Sequence, residues 1–188
     1  MKSLLIVISG FSCTGKTTLG RQLSQELSLP FISRDDIKES LFDSLGWKDR
    51  EWSKRLGIAS YKLLYYFIES QLSVGRSLAG ESNFKPEFDT NKFLQLKNQY
   101  KFEPIQIYCK TEPTILFQRF KSRFESGQRH PGHVDNLNYE EFQTDLIKGG
   151  SYILDIGGKV FEIDTTDFEK IDYKILFEEI KLTALARG

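Results

Sequence analysis

Eight residues near the start of the chain, Gly10-Phe11-Ser12-Cys13-Thr14-Gly15-Lys16-Thr17, hold two glycines, a lysine and a hydroxyl in the spacing G-x-x-x-x-G-K-[ST]. That spacing is the phosphate-binding loop, or P-loop. Glycines let the backbone wrap closely round an anion. The loop N–H groups and the helix N-terminus that follows supply fixed positive dipoles. Lys16 adds a mobile point charge for β- and γ-phosphates, and Thr17 offers a hydroxyl to Mg2+. The expected triphosphate-binding set is Gly10, Ser12, Cys13, Thr14, Gly15, Lys16, Thr17 and Thr18. Cys13 is read as a small tolerated residue, not as a nucleophile.

Further groups along the chain could complete phosphoryl transfer. Ser33-Arg34-Asp35-Asp36-Ile37-Lys38 places a carboxylate where it could accept a proton from an attacking hydroxyl. The same two acids equally fit the first turn of a helix, satisfying its orphan N–H groups. Glu81 could hold Mg2+ through water opposite Thr17, or be a solvated strand-end charge. Asn83 could face a substrate. Arg119 and Arg123 stand one helical turn apart, and guanidinium forks clamp phosphoryl oxygens. The polar stretch after them carries Gly127, Arg129, Pro131 and Gly132, as a lid would. His130 and His133 have a spacing that suits zinc, but no Cys or third His lies nearby. A turn or lid hydrogen-bonding role is expected for them.

These residues need a scaffold, and the hydrophobic pattern describes one. Leu4-Leu5-Ile6-Val7-Ile8 is the apolar run of a strand buried on both faces, at 3–9. Leu19, Leu23 and Leu27 then mark the core stripe of a helix over 15–28. Strands are expected at 29–33, 77–81, 103–109 and 159–164. Helices are expected at 35–42, at 49–74 with Trp52, Leu56, Ala59, Leu63, Phe67 and Leu72 on one face, at 88–100, from Pro113, at 139–148 and at 168–185. Alternating strands and helices imply an α/β fold with a parallel sheet. Ligands then bind at the C-terminal strand ends, where the groups above fall. Trp47, Trp52 and Tyr61 either line an aromatic acceptor pocket or belong to the core.

The chain has 188 residues, 39% of them hydrophobic, and no formal net charge. One domain over 1–188 is expected, without the global basic field that long nucleic acids demand. Two cysteines, Cys13 and Cys109, make no disulfide framework and fit a reducing cytoplasm. The first apolar run is too short for a signal peptide or membrane span. A GTPase needs Asn-Lys-x-Asp, but Asn91-Lys92 is followed by Phe93-Leu94. The paired strand-end acids of motor ATPases are missing as well.

On the P-loop, Arg34-Asp35-Asp36-Ile37-Lys38, Glu81 and the arginine pair, nearly the whole chain resembles the small P-loop kinases. The group is that of polynucleotide kinase, zeta-toxin and chloramphenicol phosphotransferase. The resemblance implies a three-layer P-loop fold with a five-stranded parallel sheet in the order 2-3-1-4-5, helices on both faces, and a lid at about 119–136. It implies Asp35 as general base, Lys16, Arg119 and Arg123 as further catalytic residues, and Thr17 with Glu81 as the Mg2+ site. Thr165-Thr166 would pass the adenine, and Arg119 with Thr165 would complete the nucleotide-binding set. One departure matters. Lys38 stands where polynucleotide kinase has an arginine, keeping the charge but losing the fork. The expectation is therefore an ATP- and Mg2+-dependent kinase of a small-molecule hydroxyl, ahead of a 5′-hydroxyl polynucleotide kinase. The acceptor would lie between the end of the second strand, the helical region 36–75 and Asn83. A nucleotide-binding regulatory module with little turnover is the rival of another class.

Overall fold

The computed structural model of the chain describes residues 2–127, 129–134 and 139–185. Parts of the expected lid, residues 128 and 135–136, lie outside the described residues. Strand β1 (Leu4–Gly10) runs through the middle of the sheet, and Leu5 to Ile8 are at most 1% exposed. Their apolar character, β-branched at Ile6, Val7 and Ile8, suits burial on both faces. The P-loop leads into α1 (Lys16–Glu26), β2 (Phe31–Ser33), α2 (Arg34–Leu45) and α3 (Arg50–Ser73). Then come β3 (Leu78–Glu81), α4 (Pro86–Tyr100), β4 (Glu103–Lys110), α5 (Pro113–Glu125), α6 (Tyr139–Lys148), β5 (Lys159–Asp164) and α7 (Tyr173–Leu185). All pairings are parallel, in the order β2-β3-β1-β4-β5. This is the order the resemblance implies.

The period-two alternation of β1 divides the core between two faces. Leu5 and Val7 pack with Leu64, Ile68, Phe93 and Leu96 of α3 and α4. Ile6 and Ile8 pack with Leu19, Leu23, Leu176 and Ile180 of α1 and α7. A third, smaller cluster joins Leu116 and Phe120 of α5 to Phe142 of α6, with Phe11 of the P-loop against it. Among the described residues, no helix is long and apolar enough to cross a membrane.

Two elements differ from the sequence expectation. The buried face of α3 carries Ser53, Leu56, Ser60, Leu64, Ile68 and Leu72, whereas Leu63 is 44% exposed. Small hydroxyls lie inward where α3 meets α2, so the apolar stripe alone reads the face one residue out of register. The helix expected at 168–185 is broken. A 3-10 turn, Phe168–Lys170, is capped by Asp167, and the Asp172 side chain accepts from the Ile175 N–H at 3.0 Å to start α7 afresh.

Candidate active site

The P-loop is drawn tight around its own carbonyls. Thr14 Oγ1 and Lys16 Nζ both donate to the Phe11 carbonyl, at 2.9 and 2.7 Å. Gly10 closes β1 at φ +137°, and a Cβ there would collide with the Cys109 carbonyl of β4. Gly15 opens α1 at φ +81°, with the Phe168 ring where its Cβ would be. Neither position tolerates a side chain, so both motif glycines answer to packing as well as to phosphate approach.

Register brings the first acid to this loop. Glu81 ends β3 opposite Ile8 of β1 and Ser33 of β2. It is 5% exposed, and its Oε2 accepts from Thr17 Oγ1 at 3.0 Å and Ser33 Oγ at 2.7 Å. Its Oε1 lies 3.8 Å from Lys16 Nζ. A buried carboxylate beside a hydroxyl is a hard oxygen donor pair, the chemistry Mg2+ prefers, and these two residues fit that ion. No group of three or more His, Cys, Asp or Glu that could hold a metal occurs among the described residues. An ion here would therefore draw its remaining ligands from phosphate and water.

Asp35 and Asp36 part company. Ser33 takes the N-cap position of α2, with its side chain turned to Glu81 instead of its own helix. Asp36 faces outward and accepts from Arg21 with both oxygens at 2.7 Å. Asp35 faces the cleft. Its Oδ1 accepts from Arg34 at 2.7 Å and its Oδ2 from Arg129 at 2.9 Å. Burial alone would raise its pKa, but the Arg129 and Arg34 charges outweigh it and hold the carboxyl well below the usual range.

Arg129 ties the lid to α2. Its guanidinium also reaches Glu39 at 3.2 Å, and His133 Nε2 lies 2.9 Å from the same Glu39 oxygen. Burial lowers the His133 pKa. A neutral ring then donates through Nε2 to Glu39 and accepts from Arg129 through Nδ1, 3.0 Å away. Beside it, His130 stacks on Phe42 at 5.0 Å and reaches Asp43 at 3.2 Å. The two histidines thus have different carboxylate partners, as hydrogen-bonding residues of a lid do. From the far side, Arg50 of α3 pairs with Glu141 of α6 at 2.6 Å.

The arginine pair on α5 divides. Arg119 donates to the Thr165 and Thr166 carbonyls at 2.8 and 2.9 Å and lies 4.0 Å over the Phe168 ring. Arg123, one turn on, lines the phosphate cavity. That cavity, of about 630 Å³, collects Ser12, Cys13, Gly15, Lys16, Thr17, Thr18, Asp35, Glu81, Arg119 and Arg123. Gly10, Thr14 and Thr165 stand outside its lining. Thr165 is 2% exposed and spends its hydroxyl on Thr111 and the Lys110 carbonyl, joining β5 to β4.

A second cavity of about 530 Å³ adjoins the first, and both are lined by Ser12 and Asn83. Asn83 Nδ2 donates to Ser12 Oγ at 3.0 Å. Its loop is pinned by the Tyr61 hydroxyl on the Asn83 carbonyl and by Asp89, which accepts from the Lys85 N–H and the Tyr65 hydroxyl, both at 2.6 Å. This cavity lies where an acceptor was expected, but of the three aromatic candidates only Tyr61 lines it. Trp47 is 49% exposed, and the Trp52 indole donates to the Gly46 carbonyl, closing the turn before α3. The spacing of Arg50, Lys54, Gly57 and Tyr61 on one face of α3 was the sequence signal for this wall. Glu39 and Phe168 had no such signal.

Residues 5–144 match the model of the AAA domain family AAA_33. The crystal structure of a presumed kinase from Chloroflexus aurantiacus J-10-fl superposes with a TM-score of 0.89 at 37% identity, covering 97% of this chain and 99% of that one. A gluconokinase from Sinorhizobium meliloti 1021 gives a TM-score of 0.54 at 15% identity, covering 99% and 92%. Kti12 from Chaetomium thermophilum, in complex with ADP-AlF3, gives 0.66 at 17% identity, covering 95% and 98%. At the last two identities the likeness is one of fold. No curated protein matches the chain.

Proposed function

The chain belongs to the AAA_33 family of AAA domains, and on that premise we propose that it is an ATP- and Mg2+-dependent kinase that phosphorylates the hydroxyl of a small molecule. The observation that carries this reading is the position of Asp35. Its carboxylate lines the phosphate cavity, while the two arginines that hold it line the adjoining one. A hydroxyl entering from the second cavity would meet a γ-phosphate at that carboxylate.

In this reading the loop amides and Lys16 hold the β- and γ-phosphates. Thr17 and Glu81 would hold Mg2+, which neutralises charge on the phosphate oxygens. The acceptor oxygen forms a bond to Pγ as the bond from Pγ to the β–γ bridging oxygen breaks. ADP leaves with that electron pair, and the hydroxyl proton passes to Asp35. A carboxylate held this far below its usual pKa is a weak base. It suits a loose transition state, in which the proton leaves late and orientation matters most. Arg123 stabilises the transferring oxygens. Arg119, committed to the Thr165 and Thr166 carbonyls that follow β5 and to Phe168, walls the base end of the nucleotide. The presumed kinase from Chloroflexus supports phosphoryl transfer as the reaction class.

The cations lining the second cavity also favour a 5′-hydroxyl polynucleotide as acceptor, so both readings enter one test. ADP release is measured across sugars, hydroxy acids, nucleosides and 5′-hydroxyl oligonucleotides, wild type beside Asp35→Asn. One acceptor is expected to stimulate release, and the substitution to remove that stimulation by about 10²-fold or more, with ATP affinity intact. Turnover that no acceptor stimulates, with tight ATP binding, would leave a nucleotide-binding module.

A further inference from the structure

The second cavity has a charge that the phosphate cavity does not explain. Arg34, Lys38, Arg50, Lys54, Lys85 and Arg129 line it, against only Glu141 and Asp145 among its described carboxylates. Arg34 and Arg129 are tied to Asp35, and Arg50 to Glu141. Lys38, Lys54 and Lys85 have no carboxylate within ion-pair distance among the described residues. Lys38 is the telling one, at 7% exposure. Its ammonium donates to Ser53 Oγ at 3.0 Å and lies 5.3 Å over the Phe42 ring, and neither partner is an anion. Burying a cation without a counter-charge is costly. Arg34 Nε is likewise buried with no hydrogen-bond partner.

There is room for the missing partner. Gly57 faces Lys38, and even a Cβ added there would stand 3.8 Å from Nζ. Lys54 sits beside Ser53 on the same turn of α3, and Lys85 enters from the loop that carries Asn83. Tyr61, Phe142 and Tyr152 complete the lining with aromatic surface. A volume of about 530 Å³ suits one small molecule.

We infer that the acceptor is a small hydroxyl compound bearing a phosphate or carboxylate that is seated on Lys38 and Lys54, an inference that rests on the kinase reading above. The anion anchors the far end of the molecule and the aromatic walls hold its body. Its hydroxyl is left at Asp35. Specificity then comes from charge at one end and reach to the carboxylate at the other.

Calorimetric titration of the full chain tests this. The P-loop is first saturated with ADP and Mg2+, and inorganic phosphate or acetate is then added as the probe of each chemistry. One of the two is expected to bind. Lys38→Met should weaken that binding roughly tenfold or more, the loss of one charge-assisted hydrogen bond, with ADP affinity unchanged. Lys54→Gln, on an exposed side chain that does not threaten folding, should weaken it in the same direction. With the best acceptor, Lys38→Met should raise KM by a similar factor and leave kcat nearly unmoved. An uncharged best acceptor whose KM ignores Lys38 would overturn the inference and leave the kinase reading standing. So would phosphorylation of oligonucleotide 5′ ends alone. Anion binding that depends on Lys38, with no acceptor stimulating turnover, would uphold the anion seat and overturn the kinase reading. Binding of neither probe overturns the inference outright.

Discussion

Asp35 and Lys38 stand one helical turn apart on α2, and both pKa values are lowered, which favours the charge on Asp35 and disfavours the charge on Lys38. The arginines that hold Asp35 ionised repel Lys38. Burial, then Arg34, lower the Lys38 pKa to about 8, with Asp35 opposing and Arg129 and Arg50 adding to the fall. The folded lysine therefore binds fewer protons than the unfolded one between about pH 8 and its ordinary value of 10.5. Stability should rise with pH across that window, and the full penalty is present at pH 7. The shift alone is worth up to about 3 kcal/mol, less about 1 kcal/mol for the Ser53 hydrogen bond. Lys38→Met should thus be more stable than wild type at pH 7, an advantage that shrinks by pH 10, as denaturant midpoints at both pH values would reveal. If both outcomes held, Lys38 would be a residue kept for its use at a cost in stability. In the sequence, Lys38 was legible as a cation beside Asp35. Its isolation was not, because that depends on Ser53 and Gly57 of another helix.

The lid is held by pieces that are weak one by one. Arg129 and His133 meet on Glu39, and His130 and Gly132 press on Phe42. Gly132 is the tightest point. A Cβ there would lie 2.6 Å from the Phe42 ring, and Phe42 is 1% exposed with little room to yield. Gly132→Ala should therefore displace the lid at a cost of about 1–3 kcal/mol and spare the sheet. Hydrogen exchange should quicken at 129–134 and not in β1 or β4, while the acceptor KM rises. Exchange unchanged at 129–134 would mean that Phe42 shifts and the lid stays shut. Gly127, Pro131 and Gly132 made the loop legible as a loop. What it docks on was not, since Glu39 and Phe42 look in sequence like ordinary positions of a short amphipathic helix.

Across the whole molecule, the site exists because three strand ends come level. Register sets Ile8, Glu81 and Ser33 side by side, so that Thr17, Glu81 and Asp35 converge from segments far apart in sequence. The P-loop motif was legible outright, since every constraint on it is local. The strand order came only through resemblance. A three-residue β2 and a four-residue β3 carry no pattern that says which neighbour each one takes. The neutral net charge concealed the clustered cations for a similar reason, because composition has no geometry. In the proposed reading, convergence would also couple nucleotide and metal to the stability of the entire sheet. A ligand that binds only the folded chain stabilises it by about 2.7 kcal/mol at 100 times its Kd. For a domain this long that raises Tm by roughly 5–10 °C. ATP with Mg2+ should produce such a shift by scanning calorimetry, and chelation by EDTA should remove part of it. Glu81→Gln should lose the Mg2+-dependent part and keep the rest, because Lys16 and the loop amides still hold the phosphates. A variant that kept the full Mg2+ increment would remove Glu81 from the metal site and leave Thr17 and phosphate to hold the ion.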